Sequence, residues 1–130
     1  MRKLLTLISG LTLALSLAWG AEDPTADHVK WMKDLGAQTG AIRKGADVAK
    51  NAEDMQATLK LVGAWWKTQN APDASKACGD TFKGAQAVAE AAKSDNKEGI
   101  AAGMKMVGAG CKGCHDAHRE KIDDHTYKVK

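Results

Sequence analysis

The stretch of sequence that decides the fold lies near the C-terminus, where residues 107–119 read VGAGCKGCHDAHR. Cys114 and His115 follow Cys111 at the third and fourth positions. Residues at i, i+3 and i+4 lie on one face of an α-helix. A single helical turn therefore presents two thiols and an imidazole to the same side of the chain.

The pattern C-x-x-C-H is the attachment site of a c-type haem. The two thiols bond to the haem vinyl groups as thioethers, and a neutral histidine ligates the iron through one ring nitrogen. We therefore expect Cys111 and Cys114 to hold one covalent haem c per chain, with His115 as the proximal ligand of its iron.

Three other kinds of site use the same residue types. A zinc site needs two further ligands at tight spacing, and Cys78 is too remote to complete a zinc knuckle. A thioredoxin-like redox pair belongs to a βαβ context, which this chain lacks. A simple disulfide between Cys111 and Cys114 is compatible with an oxidising compartment. Haem attachment is the interpretation that also uses the histidine.

The N-terminus has the pattern of a secretory leader. Arg2 and Lys3 precede an apolar run, and the small residues Ala18 and Gly20 flank Trp19. This pattern predicts a signal peptide over residues 1–20, cleaved after Gly20. The run is too short for a membrane span, so we expect no stable membrane insertion. Bacteria attach haem covalently outside the cytoplasmic membrane, so the motif and the leader both predict a periplasmic protein.

Residues 21–130 are enough for one haem domain. Removing Arg2 and Lys3 with the leader lowers the formal net charge from +3 to +1. Two ionised haem propionates would bring the loaded chain to about −1. Lysines and acidic residues are interspersed rather than clustered, so we expect no nucleic-acid partner.

The spacing of apolar residues predicts four helices and no strands. The expected all-α fold is an antiparallel up-down-up-down four-helix bundle with covalent haem near the C-terminus. The tail over residues 123–130 is polar and is expected to fray. The glycines between Gly103 and Gly110 are interpreted as leaving room for a cofactor rather than as close-packing positions. The expected helices run from Asp23-Pro24 to Lys44 with Gly45 as the stop, from Asp47 or Asn51 past Trp66, from about Ala74 to Lys93, and from about Lys97 to about Ile122.

The segments over residues 91–96 and 107–119 resemble the class II c-type cytochromes, the cytochrome c-prime family. That family places C-x-x-C-H near the C-terminus of a four-helix bundle, as here. Many members of that family are dimers, so the resemblance implies that a homodimer is possible here. It also implies that the first helix covers the distal face of the haem and that Arg119 lies against the proximal side of the haem. His118 departs from the family pattern, in which tyrosine is common; it is expected to contact the haem edge or to face solvent.

The function depends on the sixth position of the iron. Aligning residues 40–45 with the end of the family's first helix places Met32 on the distal side. A thioether ligand there gives a low-spin electron carrier that serves redox partner proteins. His28 lies one turn earlier and is an alternative ligand. If Met32 is instead only a core residue, the sixth position is empty, and the five-coordinate iron would bind NO or CO. We do not expect an enzyme, because no second cofactor motif or acid–base constellation is present.

Cys78 remains after the haem takes two cysteines. It shares a helix face with Phe82, which favours a buried thiol. The alternative is an intermolecular disulfide across a dimer. Trp65 and Trp66 lie about 100° apart on a helix, so we expect one of them to be buried and the other to be partly exposed.

Overall fold

The structure is a computed structural model and describes residues 21–130. The predicted signal peptide, residues 1–20, lies outside the described residues. The prediction of an all-helical chain with four helices is confirmed, but the expectation of no strands is wrong. The elements are α1 (Ala26–Arg43), α2 (Val48–Thr68), α3 (Pro72–Lys93), α4 (Lys97–His118), β1 (Arg119–Lys121) and β2 (Tyr127–Val129). Over residues 21–130, none of the helices has the length and apolar character that a membrane crossing requires.

The helix starts are set by side chains that accept the first free backbone N–H groups. The Thr25 hydroxyl accepts from the His28 N–H at 3.1 Å, so α1 begins two residues later than Asp23-Pro24 predicted. Asn96 caps α4, because its side-chain oxygen accepts from the Gly99 N–H at 2.9 Å, and the helix begins at Lys97 as expected. The start of α2 at Val48 agrees with the earlier of the two predicted sites.

The predicted ends of the first three helices are close to the observed ones, and the end of the fourth is wrong. Gly45 has φ of 73°, a left-handed conformation that glycine adopts without a steric penalty, and it follows α1 as predicted. Helix α4 ends at His118 instead of near Ile122, because the chain becomes extended at Arg119. There the His118 Nδ1 lies 2.7 Å from the carbonyl oxygen of Lys130.

The C-terminal tail is ordered by pairing, which contradicts the prediction that it frays. Strands β1 and β2 form an antiparallel hairpin in which Arg119 pairs with Val129 and Lys121 with Tyr127. Glu22 adds a bridge, because its N–H donates to the Val129 carbonyl at 2.7 Å and its carbonyl accepts from the Val129 N–H at 2.8 Å. Tyr127 and Val129 are half-buried. The hairpin therefore joins the two ends of the described chain.

Helices α3 and α4 pack at close range along an antiparallel line. A Cβ added at Gly84 would lie 2.8 Å from the Val107 nitrogen, and one at Gly103 would lie 2.6 Å from Val88 Cγ2. A Cβ at Gly110 would collide with the Thr81 side chain. The residue number of the contact on α3 decreases from Val88 to Thr81 as that on α4 increases from Gly103 to Gly110, so the two helices are antiparallel.

These contacts correct part of the interpretation of the glycine stretch. Gly103 and Gly110 are buried and serve the close approach of α3 and α4, not a cofactor. Gly108 instead lines a cavity, and a Cβ there would meet nothing within 4 Å. The core continues from α3 into α2 and α1. Its most deeply buried members are Ala52, Met55, Ala74, Ala85, Val88, Ala89 and Val107.

Candidate functional site

A cavity of about 610 Å³ lies between α1 and α4. Among the helices over residues 21–130, α3 packs closely with α4, α2 with α3, and α1 with α2, but α1 and α4 do not pack closely with each other. Side chains of α2 and α3 form the floor, and Tyr127 closes one end. The volume is in the range of small-molecule and cofactor sites. The floor is formed by Leu59, Val62, Trp66, Cys78 and Thr81.

The C-x-x-C-H residues all line this cavity from the last turns of α4. Cys111, Cys114 and His115 are each half-buried, and the intervening Lys112 and Gly113 are exposed. Their positions at i, i+3 and i+4 of a regular helix place both thiols and the imidazole on one face, as predicted.

Burial sets the protonation of these three groups. It lowers the pKa of His115, and the positive charge of Arg119 lowers that pKa further. Burial raises the pKa of Cys111 and raises that of Cys114 to about 11. At neutral pH the imidazole is therefore neutral, which is the form that ligates a metal.

The opposite wall is one face of α1. Met32 is half-buried there, and the cavity-lining positions around it repeat at helical spacing. Gly36 and Gly40 follow Met32 at intervals of four on this face, and a Cβ at either one would meet nothing within 4 Å. The two glycines therefore leave a flat, open strip of backbone opposite α4.

The structure brings the two predicted iron ligands to a single cavity. Met32 and His115 are 83 positions apart in sequence, yet they line the same space from α1 and α4. His28, the alternative ligand, also lines it and is only 5% exposed. Burial lowers the pKa of His28, so its imidazole is neutral as well.

His118 is fixed at the end of α4 by two acceptors. Its Nε2 lies 2.8 Å from Asp73 Oδ2 and its Nδ1 lies 2.7 Å from the carbonyl oxygen of Lys130. The ring also packs against Trp66 with centroids 4.7 Å apart. His118 lines the cavity and is half-buried, and its contact with a haem edge stays a prediction.

Arg119 lies directly after α4, at the rim of the cavity. Its side chain is exposed, and its charge acts on His115. This places it on the His115 side of the cavity, and its contact with the proximal side of a haem stays a prediction.

Cys78 is a buried thiol, as its helix face indicated. The residue is 7% exposed, and its thiol donates to the Leu59 carbonyl at 3.2 Å. Burial raises the pKa of Cys78 to about 11. Neither of the adjacent tryptophans contradicts the prediction, since Trp66 is 4% exposed and Trp65 is only half-buried.

Tyr127 is the site residue that the sequence analysis missed. Its hydroxyl lies 3.1 Å from Nδ1 of His28, which joins the C-terminal hairpin to α1 at one end of the cavity. The run Tyr127–Val129 is only three residues long, so its alternation is too short a signal to predict a strand. Thr81 was missed too, because a buried threonine in a helix has no distinctive spacing.

The zinc alternative needed further ligands beside the two motif cysteines. Within residues 21–130 there is no group of three or more His, Cys, Asp or Glu side chains arranged to hold a metal ion. All three cysteines are free thiols in the structure.

No family model matches the chain, and neither a curated protein nor a solved structure matches it. The function of the cavity therefore has to follow from its own residues.

Proposed function

We propose that this chain is a periplasmic c-type cytochrome that carries electrons through one covalently bound haem c. Cys111 and Cys114 would hold the haem as thioethers, His115 would be the proximal ligand of the iron, and Met32 the distal ligand. The observation that best supports this proposal is that all four side chains line one cavity. The motif residues lie on α4, and Met32 lies on the facing wall of α1.

The residues of the cavity fit a flat, largely apolar group. Gly36 and Gly40 on α1 and Gly108 on α4 leave open space where side chains would otherwise stand. Leu35, Val62 and other apolar side chains complete the walls. The haem, when bound, supplies one-electron redox chemistry at its iron.

The chain's own part in this function is to bind, orient and shield. The helical spacing of Cys111 and Cys114 would fix the edge of the haem that carries the vinyl groups. The neutral imidazole of His115 would be ready to ligate the iron. A thioether from Met32 favours ferrous iron and a low-spin state. The positive charge of Arg119 beside His115 also favours the reduced form, because reduction lowers the positive charge of the iron.

The helix order supports the finer prediction of an up-down-up-down bundle. α3 and α4 are antiparallel, and the pairing of His28 with Trp65 and Trp66 gives α1 and α2 the same relation. A bundle whose first and fourth helices are held apart by a cofactor agrees with the resemblance to class II cytochromes. Redox partner proteins and a homodimer belong to the same proposal, as does export with cleavage near Gly20.

A second candidate is a five-coordinate cytochrome that binds NO or CO. It is favoured by the open strip beside Gly36 and Gly40, which admits a small molecule on the α1 side of the cavity. In that case Met32 packs in the wall and does not reach the iron.

The first test asks whether haem is bound covalently. We expect the purified chain to keep its haem under denaturing electrophoresis. Replacing Cys111 and Cys114 together by alanine should abolish this, because both thioether bonds are lost. Cys78→Ala is the matched control, since Cys78 lines the same cavity but lies outside the motif, and it should retain the haem. A wild-type chain without covalent haem contradicts the proposal.

The second test asks what occupies the sixth position. Met32 ligation predicts a sharp α band in the ferrous protein and a weak charge-transfer band in the ferric protein. Met32→Ala should convert this to a broad high-spin spectrum. Met106→Ala is the control, because Met106 is 45% exposed and does not line the cavity. A high-spin spectrum in the wild-type protein would instead establish the second candidate.

A further inference from the structure

His28 is a deeply buried polar side chain at the cavity, and only one of its two ring nitrogens has a protein partner. Its Nδ1 lies 3.1 Å from the Tyr127 hydroxyl. No hydrogen bond from residues 21–130 reaches Nε2. The residue is 95% buried, and three aromatic rings surround it. These belong to Trp65, Trp66 and Tyr127, with centroids 4.9, 6.3 and 6.0 Å from that of His28.

The position of His28 favours a neutral imidazole. It lies in the first turn of α1, where its backbone N–H donates to the Thr25 hydroxyl at 3.1 Å. The positive end of the helix dipole disfavours a cation there. Burial acts in the same direction by lowering the pKa of His28.

A neutral imidazole has one N–H donor and one acceptor nitrogen, so the partner of Nδ1 decides which is which. Burial raises the pKa of Tyr127, so its hydroxyl keeps its proton. If the Tyr127 hydroxyl donates that proton to Nδ1, the hydroxyl and Nδ1 are both satisfied, and the imidazole proton lies on Nε2. If Nδ1 carries the proton instead, the tyrosine proton has no acceptor among residues 21–130 and Nε2 is left as a bare lone pair. The first arrangement leaves fewer unpaired groups.

We propose that Tyr127 holds His28 with its proton on Nε2, so that His28 is a hydrogen-bond donor to a small oxygen-bearing diatomic molecule in the cavity and not a ligand of the iron. A ring nitrogen that bears a proton has no lone pair to offer a metal. This N–H belongs to a residue that lines the cavity and has no partner among residues 21–130, and an oxygen lone pair of a bound molecule would accept from it.

This inference rests on the haem of the proposed function and adds a polar residue to the α1 wall. Met32 lies one turn after His28 on the same face. A diatomic molecule that takes the sixth position in place of Met32 would therefore approach the helix face that carries His28. Hydrogen-bond donors on the distal side govern how such molecules bind to haem.

The first experiment locates the proton. Long-range hydrogen–nitrogen correlation spectra of ¹⁵N-histidine-labelled holoprotein in its ferrous, carbon monoxide-bound form distinguish the two tautomers. We expect the His28 proton on Nε2 in the wild type. Tyr127→Phe, which removes only the hydroxyl, should give a mixture of tautomers or the other tautomer. A wild-type His28 with its proton on Nδ1, or a spectrum unchanged by Tyr127→Phe, overturns the role of Tyr127.

The second experiment uses carbon monoxide as the probe in a Met32→Ala background, which keeps the sixth position open. A donor near the bound oxygen lowers the C–O stretching frequency. We expect His28→Leu to shift the infrared band to higher frequency and His28→Gln, which keeps a donor, to restore part of the shift. His125→Gln is the matched control, because His125 is exposed in the hairpin turn, and it should leave the band in place.

The outcomes separate the two proposals. A haem-bearing protein whose C–O band is the same with His28 and with His28→Leu overturns the donor role while leaving the cytochrome intact. A spectrum that shows His28 bound to the iron in the Met32→Ala protein overturns it as well. A chain that carries no haem overturns the proposed function, and the donor role fails with it.

Discussion

Replacing Gly103 by alanine tests whether close contact between α3 and α4 sets the frame of the site. The added Cβ would lie 2.6 Å from Val88 Cγ2, 2.9 Å from the Val88 nitrogen and 3.0 Å from the Gly84 carbonyl oxygen. A rotation of Val88 cannot relieve the last two contacts, because they involve backbone atoms. Val88 is also fully buried, with no solvent to rotate into. The helices therefore have to move apart.

The size of the effect follows from two opposing contributions. Forcing an extra methyl group into a packed core costs about 1–3 kcal/mol. Alanine in place of glycine in a helix returns about 1 kcal/mol. We expect Gly103→Ala to lower the free energy of unfolding by up to about 2 kcal/mol, which lowers Tm by up to about 8 °C in a domain of this size.

The assay is urea unfolding of the purified protein followed by circular dichroism, with thermal unfolding as a second measurement. Gly79→Ala is the matched control, because Gly79 is exposed on α3 and a Cβ there meets nothing within 4 Å. It should raise the free energy of unfolding by up to about 1 kcal/mol. If Gly103→Ala stabilises the protein as much as Gly79→Ala does, the close contact is not real and the reasoning is refuted.

Three further predictions concern protonation and charge. Cys78, with its pKa near 11, should react with iodoacetamide at least about 100-fold more slowly in the folded protein than in urea, because at pH 8 only about one thiol in a thousand is ionised; equal rates by mass spectrometry would contradict its burial. The lowered pKa of His28 means that the unfolded chain binds more protons below about pH 6.5, so the free energy of unfolding should decrease as the pH is lowered through this range, by at most about 1.4 kcal/mol per pH unit. Urea titrations at pH 7.5 and 5.5 measure this, and a slope that His28→Gln fails to reduce assigns it to other groups. Arg119→Gln should lower the reduction potential by on the order of tens of millivolts, because a positive charge near His115 is lost; potentiometric titration measures it, and an unchanged or higher potential would contradict that role.

The parts of the fold that depend on local periodicity were predictable. Met55, Leu59, Val62 and Trp66 recur at helical spacing within the second expected helix, and all four residues are buried on α2. The motif spacing placed its three residues on one helix face, and the structure confirms that they share a cavity. The start of α1 was misplaced because Asp23, Pro24 and Thr25 all carry start signals, and only the backbone geometry selects the threonine.

The parts that depend on long-range pairing were not predictable. Strand β2 is three residues long, and a run that short carries too little alternation to be recognised. Its stability depends on β1 and on Glu22, which is more than a hundred positions away. The glycines of α4 show the same limit, because a glycine that faces α3 and one that faces the cavity look identical in the sequence.

The arrangement of the helices suggests that folding and occupation of the cavity are coupled. Three of the four helices are joined by close packing, but α1 is held mainly by α2, by the His28–Tyr127 hydrogen bond and by the bridge at Glu22. The wall that α1 offers to α4 includes the apolar side chains of Met32 and Leu35, whose burial depends on what lies between the two helices. A group that binds the folded chain stabilises it by mass action, and a covalently attached one does so without dissociating. The C-terminal hairpin ties the start of α1 to the end of α4, because Tyr127 contacts His28 one turn before Met32 and β1 directly follows α4.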